Sequence, residues 1–142
     1  MAGRSEARRF VLQMLYLLDH NPEADRDRIA SQLSKEFKDA AVQSFAWSLI
    51  TGILDHQPQL DEKIAATATN WRLERMAPTD RNVLRMGLYE MTVTGTPPAV
   101  VIDEAVTIAR EFGTENSGAF VNGILDRLIP AGKSISDGPP VA

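Results

Sequence analysis

Arg9, Gln13 and Tyr16 stand at i, i+4 and i+7, and Arg4 and Arg8 lie four residues apart beside them. A helix through this segment would carry a cation, an amide and an aromatic ring along one edge and two further cations along the next. Such a set suits single-stranded RNA: guanidinium groups meet phosphates, an amide bonds a base edge, and an exposed ring stacks on a base. The same spacing also describes a solvated helix face with Tyr16 partly buried.

Asp80, Arg81, Arg85, Glu90, Asp103 and Glu104 form a second group, set among apolar residues on segments with core-helix patterning. A catalytic acid cluster is one reading. Structural ion pairing is the favoured one, because a charge near a core is tolerated only when paired and hydrogen-bonded, and arginine grips a carboxylate through two parallel bonds. No phosphate-binding loop or dinucleotide fingerprint is present. His20 and His56 are the only histidines, both beside expected helix ends, so neither a nucleophile–histidine–carboxylate triad nor a zinc site is expected. With no cysteine, thiolate chemistry and disulfides are excluded, which fits a reducing cytoplasm. We expect no catalytic residue, no metal and no cofactor, and hence no enzyme.

These residues must be positioned by a chain of 142 residues, 44% apolar and 24% charged, ordinary values for one globular domain. The net charge of −4 is unevenly spread. Residues 1–18 hold three arginines against Glu6, a balance of +2, whereas the remainder holds 12 Lys and Arg against 18 Asp and Glu, a balance of −6. Positive potential is therefore concentrated at one end, and RNA contact there should be local and weak without a partner. No apolar run approaches the roughly 18 residues of a membrane span, and no secretory leader pattern opens the chain, so a soluble, unprocessed protein is expected.

The apolar period is helical throughout. Ala7, Val11, Met14, Leu15 and Leu18 predict a helix over Ser5–Asp19, broken by Asn21-Pro22; Asp25 can cap a shorter one through Ile29, Leu33 and Phe37. A third begins near Asp39 and carries Val42, Phe45, Ala46, Leu49, Ile50 and Ile53. Pro58 is expected to interrupt it, leaving a fourth through Leu60, Ile64 and Ala68 to about Asn70. Pro78 and Asp80 mark the start of another, closed by residues 94–98. The fold expected is an all-α, single-domain bundle of about seven helices in two packed subdomains meeting near residues 55–60. It occupies residues 1–130, with 131–142, rich in Gly, Ser and Pro, as a flexible tail.

The segment Phe112–Asp126 holds two helix signals. Gly113 is expected to end one helix in the left-handed conformation. Thr114 or Asn116 can cap the next, whose apolar positions are Phe120, Val121, Ile124, Leu125 and Leu128. Asn122-Gly123 falls inside that period, so it reads as a helical site where Gly123 admits another backbone, most simply that of a neighbouring helix, rather than as a hairpin.

Arg4…Ala7-Arg8…Gln13-Met14-Leu15-Tyr16, Trp71…Arg75…Asp80-Arg81…Leu84-Arg85…Tyr89-Glu90, and Ile102-Asp103-Glu104-Ala105…Phe112-Gly113…Phe120-Val121-Asn122-Gly123-Ile124-Leu125-Asp126 together resemble the NusB family, in order, from about residue 4 to residue 128. The resemblance implies an all-α fold of about seven helices and a transcription antitermination factor. Such a factor binds the boxA element of nascent ribosomal RNA with the ribosomal protein NusE and promotes read-through by RNA polymerase. It places RNA contacts at Arg4, Arg8 and Arg9, with Gln13, Tyr16, Asn116 and Phe120 completing the expected surface. Ser5 and Glu6 stand where relatives often continue the arginine run, which implies weaker intrinsic affinity. Asn116 stands where relatives can have aspartate, and the missing negative charge offsets part of that loss. Changing Arg8 to glutamate is expected to weaken RNA binding with the fold intact. Two alternatives remain: a purely protein-binding helical adaptor, and a stand-alone relative of the RNA-binding domain of rRNA cytosine methyltransferases, against which the short chain argues.

Overall fold

Ala7, Val11 and Leu15 repeat at four-residue steps with Phe10 and Leu12 beside them, and in the computed structural model of the protein they form the buried stripe of α1 (Arg4–His20). The structure describes residues 3–21 and 23–133. Pro22 of the expected break and residues 134–142 of the expected tail lie outside them. Helix α1 closes where the Asn21 N–H bonds the Leu17 carbonyl. Helix α2 (Arg26–Glu36) starts where its sequence signal predicts, with the Asp25 carboxylate accepting the Arg28 N–H at 2.9 Å. Ile29 and Leu33 are its buried residues. Phe37 lies just past its end and meets the Phe10 ring edge-on at 5.6 Å.

Helix α3 (Ala40–Thr67) overturns one expectation, since Pro58 lies inside it and does not end it. An interior proline removes one backbone bond and crowds the preceding turn, at about 3 kcal/mol. Tertiary burial outweighs that cost: Leu49, Ile53, Leu60 and Ile64 keep the helical period across the proline and are all buried. Pro58 itself is exposed, and the carbonyl it leaves without a helical donor belongs to Leu54. Two expected helices are therefore one, and the described residues contain six α-helices and no strand.

The chain divides into two compact units, Met1–Asp55 and His56–Ala142, with the division inside α3. In the second unit a 3-10 turn (Leu73–Arg75) precedes α4 (Pro78–Tyr89), which opens on Pro78 and runs on as a π-helical turn over Glu90–Thr94. Gly95, at φ 73°, closes that turn, and the Glu90 carbonyl accepts the Thr96 N–H at 2.9 Å and the Thr94 hydroxyl at 2.9 Å. Every residue from Asn82 to Met91 is buried, as expected of a central helix packed on two others, α5 (Pro98–Phe112) and α6 (Ser117–Arg127).

Three expectations about the α5–α6 segment change. Gly113 is extended (φ −102°, ψ −153°) rather than left-handed. It must be glycine for space: a Cβ there would lie 2.3 Å from the Ser117 hydroxyl and 2.8 Å from the Ala109 carbonyl. Asn116 occupies the cap position of α6 without a side-chain bond, while the Ser117 hydroxyl accepts the Thr114 N–H at 2.9 Å. Asn122-Gly123 does lie within a helix, yet Gly123 is exposed with nothing within 4 Å of where its Cβ would be. The close approach belongs to Gly87, whose missing Cβ admits Leu125 to 2.9 Å.

Candidate nucleic-acid interface

On α1 the expected edge residues meet different fates. Arg4 and Gln13 are exposed, Arg9 is half-buried, and Tyr16 keeps 45% of its surface open. Arg8 departs from the solvent-facing role expected of it, being only 3% exposed. Phe45 of α3 gathers the two cations that lie four apart: the Arg4 guanidinium carbon stands 4.6 Å from the ring centroid and that of Arg8 5.3 Å. Arg8 thus packs from beneath while Arg4 stays open to solvent, a difference that α1 alone cannot specify because Phe45 arrives from another helix. The Tyr16 ring stacks on His20 at 4.2 Å, and His20 Nδ1 lies 3.0 Å from the Tyr16 carbonyl oxygen, so the tyrosine is presented in one orientation.

In the second unit, Asn116 is exposed and Phe120 half-buried at the start of α6. Phe120 meets Trp71 edge-to-face, with centroids 5.5 Å apart and planes at 77°. Together with Thr114, Asn116, Arg75 and Asp80 they line a cleft of about 350 Å³. Trp71, 57% exposed, follows the end of a helix, where no period gives it a face, so the sequence pattern does not mark it.

The expected structural ion pairs are resolved in part. Arg85, 6% exposed, donates from Nε to Asp61 Oδ1 at 2.7 Å and from Nη2 to Oδ2 at 3.0 Å, and from Nη1 to the Asn82 side-chain oxygen at 2.9 Å. Its partner Asp61 was outside the expected set, since 24 residues and no local period separate the two. Arg81 donates to the Leu73 carbonyl at 3.4 Å, and Glu90, 2% exposed, accepts from the Thr96 hydroxyl at 3.4 Å. Glu104 is half-buried and Asp103 exposed. Asp80 differs from the expectation: one of its carboxylate oxygens, Oδ1, is buried without a hydrogen-bond partner. Among the described residues no group of three or more His, Cys, Asp or Glu could hold a metal, and no helix is long and apolar enough to cross a membrane.

Comparison with known proteins extends these features. The family model described as the NusB family matches residues 5–130. The transcription antitermination protein NusB of Anaeromyxobacter dehalogenans is 43% identical over 127 residues, covering 88% of this chain and 89% of that one. The solved structure of T. maritima NusB superposes with a TM-score of 0.81 at 33% identity, over 99% of this chain and 95% of that chain. A NusB solved with NusE and dsRNA shares the fold at a TM-score of 0.80 and 24% identity, covering 89% of this chain and 95% of that chain.

Proposed function

This chain belongs to the NusB family, and on that premise we propose that it is a transcription antitermination factor that binds boxA-type RNA together with a NusE-like protein. The observation that carries the proposal is the exposure of Arg4, Gln13 and Tyr16 on α1, a cation, an amide and a ring open to a single strand. Arg4 and Arg9 supply phosphate contacts. Tyr16, oriented by His20, supplies a stacking face, and Arg8 holds Phe45 beneath them. Asn116 and Phe120 add an amide and a ring on the second unit.

The mechanism is assembly without covalent chemistry. Two phosphate-contacting arginines on a chain of net charge −4 give a small electrostatic contribution, so the chain alone should hold RNA weakly. Binding of RNA and NusE to one scaffold turns the second encounter into an intramolecular one, which raises the effective concentration and stabilises the ternary complex. That complex joins the RNA polymerase antitermination machinery in the cytoplasm, as one folded domain over residues 1–130.

The test is a titration of labelled boxA-type RNA at moderate salt with and without NusE. Affinity is expected to rise at least tenfold with the partner. Equal affinities would remove cooperation, and no RNA binding in either arm would leave a protein-only adaptor.

A further inference from the structure

Helix α2 buries Ile29 and Leu33 and leaves an outer edge on which Arg28, Gln32 and Lys35 stand at i, i+4 and i+7, all three exposed. Among the described residues no ion pair or side-chain hydrogen bond holds these three, whereas Arg26 of the same helix is bound to Asp55 at 2.7 Å. Two cations are left open on one edge. The Asp25 carboxylate is engaged by the Arg28 backbone N–H, and Asp27 and Glu36, each one residue from an end of the stripe, turn about 100° away from it.

Beside that edge, α1 and α2 leave an apolar groove of about 110 Å³, with buried Ile29 and half-buried Met14 and Ala24 as its floor and exposed Leu17, Arg28 and Gln32 as its lip. A small-molecule pocket begins at about 300 Å³, so this groove suits a single aliphatic side chain instead. Met14 can adapt to its shape. No aromatic ring lines the groove, so a nucleic-acid base would find nothing there to stack on.

We infer that this groove docks an amphipathic helix of a partner protein, which inserts one aliphatic side chain between α1 and α2 and sets carboxylates against Arg28 and Lys35. The two cations lie about 10 Å apart along the axis of α2, which a second helix matches with acidic residues at i and i+7 and its apolar anchor between them. Desolvation of the anchor supplies affinity, and the charges fix register. The groove belongs to the first unit, and the RNA-binding reading above uses none of its residues. The two stand or fall separately.

The probe is a fluorescein-labelled synthetic helix of about 16 residues, long enough to hold helical structure in water, with one leucine set between glutamates at i and i+7 on an alanine and glutamine background. Titrated with the isotope-labelled full chain, it should give saturable anisotropy, with backbone amide shifts gathered at Met14, Leu17, Ile29 and Gln32. Serine for the leucine of the peptide, or Leu17→Glu in the protein, should weaken binding about tenfold. Arg28→Glu combined with Lys35→Glu should do the same, and a peptide with lysines for its glutamates should recover binding to that double variant. Circular dichroism and thermal unfolding confirm that each variant is folded. The double variant should keep its affinity for boxA-type RNA within twofold. No saturable binding, shifts gathered elsewhere, or equal peptide affinity across the variants overturns the inference. A loss of RNA affinity in the double variant that matches its loss of peptide overturns it as well, and assigns the α2 edge to nucleic acid.

Discussion

Arg85 and Asp61 form a two-bond ion pair, Nε to Oδ1 at 2.7 Å and Nη2 to Oδ2 at 3.0 Å, that ties α4 to the second half of α3 within one unit. The side chains are 7% and 23% exposed, so water screens the pair weakly on the arginine side and somewhat on the other. Removing one partner strands the other, and Arg85→Ala is expected to cost about 3 kcal/mol, Asp61→Ala somewhat less. A urea-unfolding double-mutant cycle should return a coupling above about 1 kcal/mol. Additive losses would make the contact incidental.

Arg4 and Arg8 share Phe45 but should separate in function. Arg4→Glu is expected to weaken RNA binding several-fold, with a shallower salt dependence and unchanged melting temperature. Arg8→Glu buries a carboxylate against an aromatic ring where a cation stood, so it should lower stability by about 2 kcal/mol or more, contrary to the expectation from sequence alone. Calorimetry and RNA titration on the same samples decide it. A fully stable Arg8→Glu protein would contradict the buried placement.

Two glycines of the α5–α6 segment should respond oppositely to alanine. Gly123→Ala meets open space in an exposed helical position and should stabilise by about 0.5–1 kcal/mol. Gly113→Ala meets the Ser117 hydroxyl and the Ala109 carbonyl, and should destabilise by about 1–3 kcal/mol although its φ suits any residue. Chemical denaturation of both variants checks the pair, and a loss at Gly123 would point to a partner backbone that needs the space.

Pro58→Ala restores an N–H that can donate to the Leu54 carbonyl inside α3. The variant is expected to gain about 1–2 kcal/mol, the helix penalty of proline less the stiffness it lends the unfolded chain. A lower melting temperature would show that the proline is needed where it stands.

The sequence by itself determined what short-range geometry determines. Apolar residues at three- and four-residue steps could bury a stripe only as helices, which made the all-α class legible. Asp25 caps α2, Pro78 opens α4, and Asn122-Gly123 stays helical because those signals act within a turn of the backbone. Tertiary structure decided whatever depends on a neighbour from elsewhere in the chain. Burial along a continuous apolar face carried α3 through Pro58, Phe45 drew Arg8 inward while Arg4 stayed outside, and Asp61 reached Arg85 across 24 residues. Gly87, not Gly123, became the point of close packing, and Trp71 met Phe120 across the chain to wall a cleft. The physical reason is range: propensities and caps are set by residues within about one turn, whereas burial, ion pairing and clefts depend on which distant side chains the folded backbone brings together.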